Sequence, residues 1–477
     1  MKKGFKMLYC FSIFIICIIP VCLMPFFKNN AQIEKRKLAE FPAYIESGKL
    51  NIDFSTQFES WLNDRLPFRA YILSASNLIK GEFFHAPTSN VIVGKEGWLY
   101  FTEEGDDFMD TTAMTDDEIR SAAITLRIIQ NVVNDKGGAF TFVPIPNKAS
   151  VYGEYMPTEY IEAPDNNLKR LMRAADEYDV NYVDMLSVLK AKKTDADPVY
   201  LRRDSHWNNR GALIGYNAIM DSLGKEHKTY SDANYTVGKT WEGDLDKLLY
   251  PSGCGKDDQY KYDIKISNYS FTEPAPMGST ENMLSIFMSD LEQNDMKIIS
   301  HNDDINDGSS LYMVRDSFGR AVLPYFIDNY ENAEFRRTDV PDVANLADDT
   351  DVCYEIVERN LKRIISKTPY MYAPIADGLD PSAFKDGGSI TVNIKEEGFG
   401  TKICGIIPDG IVSEDGRVYV LVKNGKNEGI YEAFPIYEKS VFGEQENKRG
   451  FSMMLEKSED SANYEISVIY GEYIFNP

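Results

Sequence analysis

The sequence predicts an α/β protein with a mostly parallel sheet covered on both faces. An apolar segment precedes it and an all-β unit follows. Three observations carry this. Helical and strand-like patterns alternate between about 115 and 370, as a parallel sheet with crossover helices requires. The run Ala139-Phe140-Thr141-Phe142-Val143 is apolar almost throughout, as in a strand buried on both faces. After about 385 the helical patterns stop, and short turn-bounded strands take over. The 477 residues suggest roughly three units at about 150 residues each.

In chain order, Lys2, Lys3 and Lys6 precede an uncharged run from Met7 to Phe27. At about 1.5 Å per residue, a helix of that length crosses a hydrocarbon core of about 30 Å. An uncleaved membrane anchor is therefore expected over 1–27. A cleavable signal peptide fits less well, because no small-x-small site follows. Lys28, Lys35, Arg36 and Lys37 balance the leading lysines, so charge alone does not orient the span. The short tail before it favours placing the bulk of the chain outside. Residues 28–54 read as a tether. Phe54 to Lys80 has helical spacing interrupted at Pro67, and Val91 to Phe101 reads as a hairpin. Thr115 and Glu118 form a capping box ahead of a helix ended by Gly137. Helices are expected over 168–178 and 208–223, and strands over 180–183, 311–314 and 351–356. Residues 225–300 read as a loop-rich insertion. Strands are expected over 389–394, 402–407, 417–422, 431–437, 451–455 and 464–470, enough for a β-sandwich of about 90 residues.

Composition excludes several classes. Lys and Arg total 51 against 74 Asp and Glu, a net charge of −23, and no basic patch is segregated. Nucleic acid is therefore not an expected partner. Four His, none spaced with Cys or carboxylates like a zinc site, give no expected metal centre. Of six Cys, three lie in the apolar run. Cys254, Cys353 and Cys404 allow at most one bridge. There is no G-x-S-x-G elbow, dinucleotide fingerprint or HExxH motif. Gly255-Lys256-Asp257 lacks both the earlier Gly and the Ser/Thr of a phosphate loop.

Three segments could carry chemistry. In Asp204-Ser205-His206-Trp207, extended residues two apart point the same way, so Asp204 could orient His206 as a base. The plainer alternative is a surface Asp and a His packed beside Trp207. In Asp316-Ser317, the serine would sit where a buried strand turns into a helix, at the sheet edge where α/β ligands bind. The alternative is that this pair only caps the helix. In Pro146-Asn147-Lys148, Asn147 could supply an oxyanion donor and Lys148 a substrate contact, or the segment is a plain turn.

Asp204-Ser205-His206-Trp207 resembles the Asp-His-His-Trp signature of the DHHW proteins. These are similar to the alginate O-acetyltransferase group of SGNH-hydrolase-like proteins. The Val93 to Tyr100 turn, the Pro146-Asn147-Lys148 loop and the Asp316-Ser317 block with Pro324 match that layout, over roughly 55–370. The resemblance implies an SGNH-hydrolase-like three-layer sandwich whose Asp-x-His block precedes the Ser block, a permuted order. It gives a catalytic domain over 55–375 and does not extend to the C-terminal residues, whose strand pattern gives a β-sandwich-like accessory domain over 385–477. It implies Ser317 as nucleophile, His206 as general base and Asp204 as its orienting partner; Asn147, Lys148 and Arg320 are further candidates for oxyanion or substrate contacts. Ser205 replaces the signature's first His, and Arg315 stands where SGNH proteins have Gly. The implied activity is transfer of acetyl to a cell-surface or secreted polysaccharide, without a cofactor, by a single-pass protein outside the cell membrane. A membrane-bound O-acyltransferase would be the donor partner. A carbohydrate esterase is one alternative, and a non-catalytic glycan-binding or assembly protein is another.

Overall fold

The computed structural model describes residues 3–24, 26, 39–46, 49–80, 88, 90–253, 255–266, 268–273, 296–398, 400–411, 413–424, 427–436, 449–457 and 464–477. The N-terminal segment Lys3–Leu23 is helical. Among the described residues, no helix is long and apolar enough to cross a membrane. The anchor expected over 1–27 is thus not supported. Residues 28–38, 47 and 48 of the tether expected over 28–54 lie outside the described residues.

Six strands form the central sheet, in the order Phe140–Ile145, Thr350–Val357, Ser310–Arg315, Asn332–Arg337, Lys297–Asn302 and Tyr269–Glu273. The first four are parallel, and the last two join antiparallel at one edge. Phe140–Ile145 and Thr350–Val357 are buried at every position, as the apolar runs foretell. The helix Asp116–Asp135 packs on one face with Asn167–Glu177 and the turn Glu358–Ile365. Met185–Lys192, Asn209–Ser222 and Leu323–Ile327 cover the other. This is the expected three-layer α/β arrangement.

Local sequence accounts for the helix ends. Glu118 N–H donates to Thr115 Oγ1 at 3.2 Å, and Thr115 N–H donates to Glu118 Oε2 at 2.9 Å, which closes the capping box. Asn166 and Asn208 cap the next two long helices by accepting from Lys169 N and Gly211 N. The 54–80 stretch breaks, as Pro67 suggests, into Phe54–Arg65 and Arg69–Leu78.

Two readings are corrected and one gains detail. The expected strand 180–183 makes only a single parallel bridge, Phe142 to Tyr182. Among the described residues of 225–300, the expected loop-rich insertion holds the hairpin Tyr235–Trp241 with Asp257–Tyr262 and the antiparallel edge strand Tyr269–Glu273, and runs into the edge strand Lys297–Asn302. Asn332–Arg337, unassigned from sequence, is a full sheet strand. It is half-polar because it sits between the parallel core and the antiparallel edge.

The C-terminal unit is an eight-stranded antiparallel-rich sheet that doubles over. Asn427–Ile436 pairs first with Val418–Asn424 and then, from Phe434, with Gly450–Glu456. Ile403, Phe451 and Met453 from one half meet Val420, Val468 and Phe475 from the other in one core. The expected strand 389–394 is in fact two, Lys385–Ser389 and Val392–Glu397, and Tyr473–Asn476 adds a last one. This unit is fixed to the α/β layers. Phe434 and Ile436 enter the main core, and Arg127 forms a buried ion pair with Glu432. Cys353 and Cys404 are both buried, and Cys404 Sγ–H donates to the Asn393 carbonyl at 3.8 Å. Cys254 lies outside the described residues.

Candidate active site

The strand Ser310–Arg315 delivers Asp316 and Ser317 to the carboxyl edge of the sheet, where the turn Phe318–Val322 begins. Ser317 heads that turn but makes no capping bond. Asp316 caps instead: its Oδ1 accepts from Phe318 N–H and its Oδ2 from Val357 N–H, both at 2.8 Å. The serine hydroxyl is thereby left for another partner. Its Oγ lies 2.7 Å from His206 Nε2. On the other side of the ring, His206 Nδ1 lies 2.7 Å from Asp204 Oδ1. Asp204 is buried, and the His206 side chain is 26% exposed, so the line opens to solvent at its serine end.

The two blocks are locked together. Trp207 Nε1–H donates to the Phe318 carbonyl at 3.1 Å, and the Phe318 ring packs on His206 with centroids 4.7 Å apart. Asp204 Oδ2 accepts from Trp241 Nε1–H at 2.8 Å and from Asp244 N–H at 2.9 Å. Burial alone would raise the Asp204 carboxyl. The hydrogen bond and charge of His206, with those two N–H donors, outweigh burial and hold it well below the usual carboxylate range. Burial likewise works against a charged His206, but the Asp204 hydrogen bond and charge and the nearby Asp244 raise its pKa above the ordinary imidazole value. Such an arrangement, a hydroxyl on one ring nitrogen and a carboxylate on the other, can activate a hydroxyl as a nucleophile.

The secondary residues fall differently. Asn147 is fully buried. Its side-chain N–H donates to Asp107 Oδ2 at 2.8 Å and its backbone N–H to Glu358 Oε2 at 2.8 Å, so it is not aimed at an oxyanion. Lys148 is also fully buried, and its ammonium donates to the carbonyls of Leu201 and Arg202 at 3.1 Å and of Asp204 at 2.5 Å. It holds the Asp204 segment from beneath rather than meeting a substrate. Arg320 is half-buried on the turn that follows Ser317.

Sequence reasoning missed Trp241, Asp244 and Glu358. Burial and the adjacent Asp107 charge raise the Glu358 carboxyl to about 7, while Ser150 Oγ–H and Asn147 N–H donate to it. The one local signal for the first two was a Trp standing in the polar run Thr240-Trp241-Glu242-Gly243-Asp244. Gly243 explains how that run approaches the site. A Cβ there would lie 2.0 Å from the Arg203 carbonyl oxygen and 3.0 Å from Asp204 N. Gly243→Ala is therefore expected to push Trp241 and Asp244 off Asp204. Ester turnover should fall at least about tenfold, measured beside a melting curve that shows retained folding. Asp204, His206 and Asp244 also bring three potential cation-ligand atoms within 4.8 Å of one another, but here those groups bond to each other. A surface cavity of about 420 Å³ lined by Lys228, Tyr230 and Asp328 shares no residue with the triad.

An α/β sandwich with Ser, His and Asp converging at the sheet's carboxyl edge, the Asp-x-His block first in the chain, is the arrangement expected from the resemblance to SGNH-hydrolase-like proteins with permuted blocks. Residues 91–284 match the family described as SGNH hydrolase-like domain, acetyltransferase AlgX. Asp204 and His206 fall inside that stretch and Ser317 beyond it. The protein named probable alginate O-acetylase AlgJ of Pseudomonas aeruginosa is 26% identical over 187 residues, 39% of this chain and 45% of that one. The chain spans about half the length of the curated relatives it matches. Among solved structures, a DHHW family protein from Eubacterium siraeum is 18% identical, covering 54% of this chain and 91% of its own, with a TM-score of 0.41. The O-acetyltransferase domain of Pseudomonas putida AlgJ is 17% identical, covering 57% and 92%, with a TM-score of 0.36. The chain is thus similar to the alginate O-acetyltransferase-type SGNH-hydrolase-like proteins, as its motifs suggest.

Proposed function

We propose that this protein is an O-acetyltransferase that moves acetyl to hydroxyls of a polysaccharide through an acetyl-serine. The observation that carries this is the unbroken hydrogen-bonded line from Ser317 Oγ through His206 to Asp204. His206 Nε2 takes the Ser317 proton as Oγ attacks the acetyl carbonyl of a donor. The donor's leaving group departs with a proton returned by His206. A sugar hydroxyl then gives its proton to His206 and attacks the acetyl-serine, which frees Ser317. The Ser317 N–H at the head of the turn is the first oxyanion donor in this reading. The N-terminal apolar helix as a cell-membrane anchor, an extracytoplasmic catalytic unit and a membrane-bound acyltransferase as donor partner belong to the same proposal.

His206 must be neutral to act as base. With its pKa raised, turnover of an activated acetyl ester is expected to climb with pH along a limb above about 6.5, the ordinary imidazole value. A kcat/KM profile checks this, and a limb well below that value would contradict the base assignment.

The test of the transferase reading is product analysis. The full chain is incubated with an activated acetyl ester and a series of neutral and uronate oligosaccharides, and acetylated sugar is weighed against free acetate by mass spectrometry. Sugar-linked acetyl that depends on Ser317 supports transfer. Free acetate alone, unchanged by any sugar, makes the protein an esterase.

A further inference from the structure

Asp204 is not the only carboxylate on the Nδ1 side of His206. Asp244 Oδ2 lies 3.6 Å from the same nitrogen, and its side chain is 40% exposed where that of Asp204 is 3%. The two are linked through Ser205. Ser205 N–H donates to Asp244 Oδ1 at 2.8 Å, and Ser205 Oγ–H donates to Asp244 Oδ2 at 2.5 Å. The single hydroxyl hydrogen is therefore spent on Asp244. What Ser205 Oγ turns toward His206 Nδ1, 3.2 Å away, is a lone pair. The Nδ1–H then has one short acceptor, Asp204 Oδ1, and one longer acceptor polarised by Asp244. A serine at 205 is what allows this: it is small, buried and able to donate to one group while accepting from another.

We propose that Asp244 is a second positioning carboxylate for His206, acting through Ser205 and held in place by its own N–H bond to Asp204. The inference rests on His206 being the base of the acyl-transfer reading. Other groups facing the ring are accounted for. Asp204 and Ser205 come from its own segment, Ser317 and the Phe318 ring from the block after the central strand, and the Arg359 cation from the turn after Thr350–Val357. Arg359 opposes protonation of the ring, and Asp204 and Asp244 favour it. Removing one acid therefore leaves the other still holding the tautomer. In a triad with a single acid, its loss costs about 10⁴ in kcat because the tautomer is wrong.

Two readouts test this on the full chain. The first is the ¹⁵N-imidazole titration of His206 by NMR, which needs no turnover. The second is kcat, KM and the pH profile with an activated acetyl ester. Asp244→Asn is expected to shift the His206 titration and the acid limb together to lower pH by about half a unit. It should lower kcat about 3- to 10-fold with KM within about twofold. Ser205→Ala should move both readouts the same way with less disturbance of the backbone. Asp204→Asn should keep at least about tenfold more kcat than the Asp204→Asn/Asp244→Asn double variant. Coincident titrations of wild type and Asp244→Asn would overturn the proposal, as would equal kcat in Asp204→Asn and the double variant. A wild type whose His206 titration responds to Asp244→Asn but which turns over no ester would instead sink the acyl-transfer reading alone.

Discussion

Ser317→Ala is expected to lower turnover of an activated acetyl ester by at least about 10³-fold while leaving the melting temperature almost unchanged. The size follows from the role, because without Oγ no acetyl-enzyme forms and only bound water remains to attack. The neutrality for folding follows from geometry. Ser317 is half-buried and caps nothing, since Asp316 makes the turn's capping bonds. Its one described side-chain hydrogen bond is to His206. Parallel assays of turnover and thermal unfolding separate the two effects. Loss of both together would mark Ser317 as structural and return it to the helix-cap reading.

The second large effect is on stability. Lys148→Met keeps the side-chain volume but leaves the carbonyls of Leu201, Arg202 and Asp204 without their shared donor. It also removes a charge that favours the ionised form of the fully buried Glu104. Burial raises the Glu104 carboxyl, and the Lys148 charge is the chief force pulling it back down. Leaving a buried acceptor without its donor costs on the order of 1–3 kcal/mol. The variant should therefore melt well below wild type and lose most activity as the Asp204–His206 segment loosens. Lys148→Met/Glu104→Gln should recover part of the stability, because the stranded carboxyl is gone. If Lys148→Met melted like wild type and raised only KM, Lys148 would be a substrate contact after all.

Lys148 also shows where sequence stops being informative. A lysine in a Pro-Asn-Lys turn reads as exposed, because lysines are almost never fully buried. Only the fold reveals that three carbonyls converge on its ammonium. The reverse holds for Thr115, Asn166 and Asn208, whose capping depends on neighbours within three residues and is legible locally. Asp204 and His206 were legible for the same reason: they are two residues apart. Ser317 was visible as a strand-to-turn position, but its freedom from capping depends on Asp316 reaching Val357, 41 residues on. Trp241 and Asp244 reach Asp204 from 37 and 40 residues away, through a hairpin with little apolar pattern. The unassigned strands Lys297–Asn302 and Asn332–Arg337 failed for a related reason. They lie toward the sheet's antiparallel edge, where alternate positions stay partly exposed and the continuous apolar run of a buried strand is lost.

The central claim is a covalent acetyl-serine at Ser317, and intact mass reads it directly. The full chain is exposed to an activated acetyl ester, with Ser317→Ala and His206→Ala in parallel, with and without oligosaccharide. The expected result is one added acetyl group on wild type, mapped by peptide sequencing to Ser317. Ser317→Ala should carry none, and His206→Ala should acquire it far more slowly. Label that appears equally on Ser317→Ala, or on a different residue of wild type, would contradict the assignment of Ser317 as nucleophile.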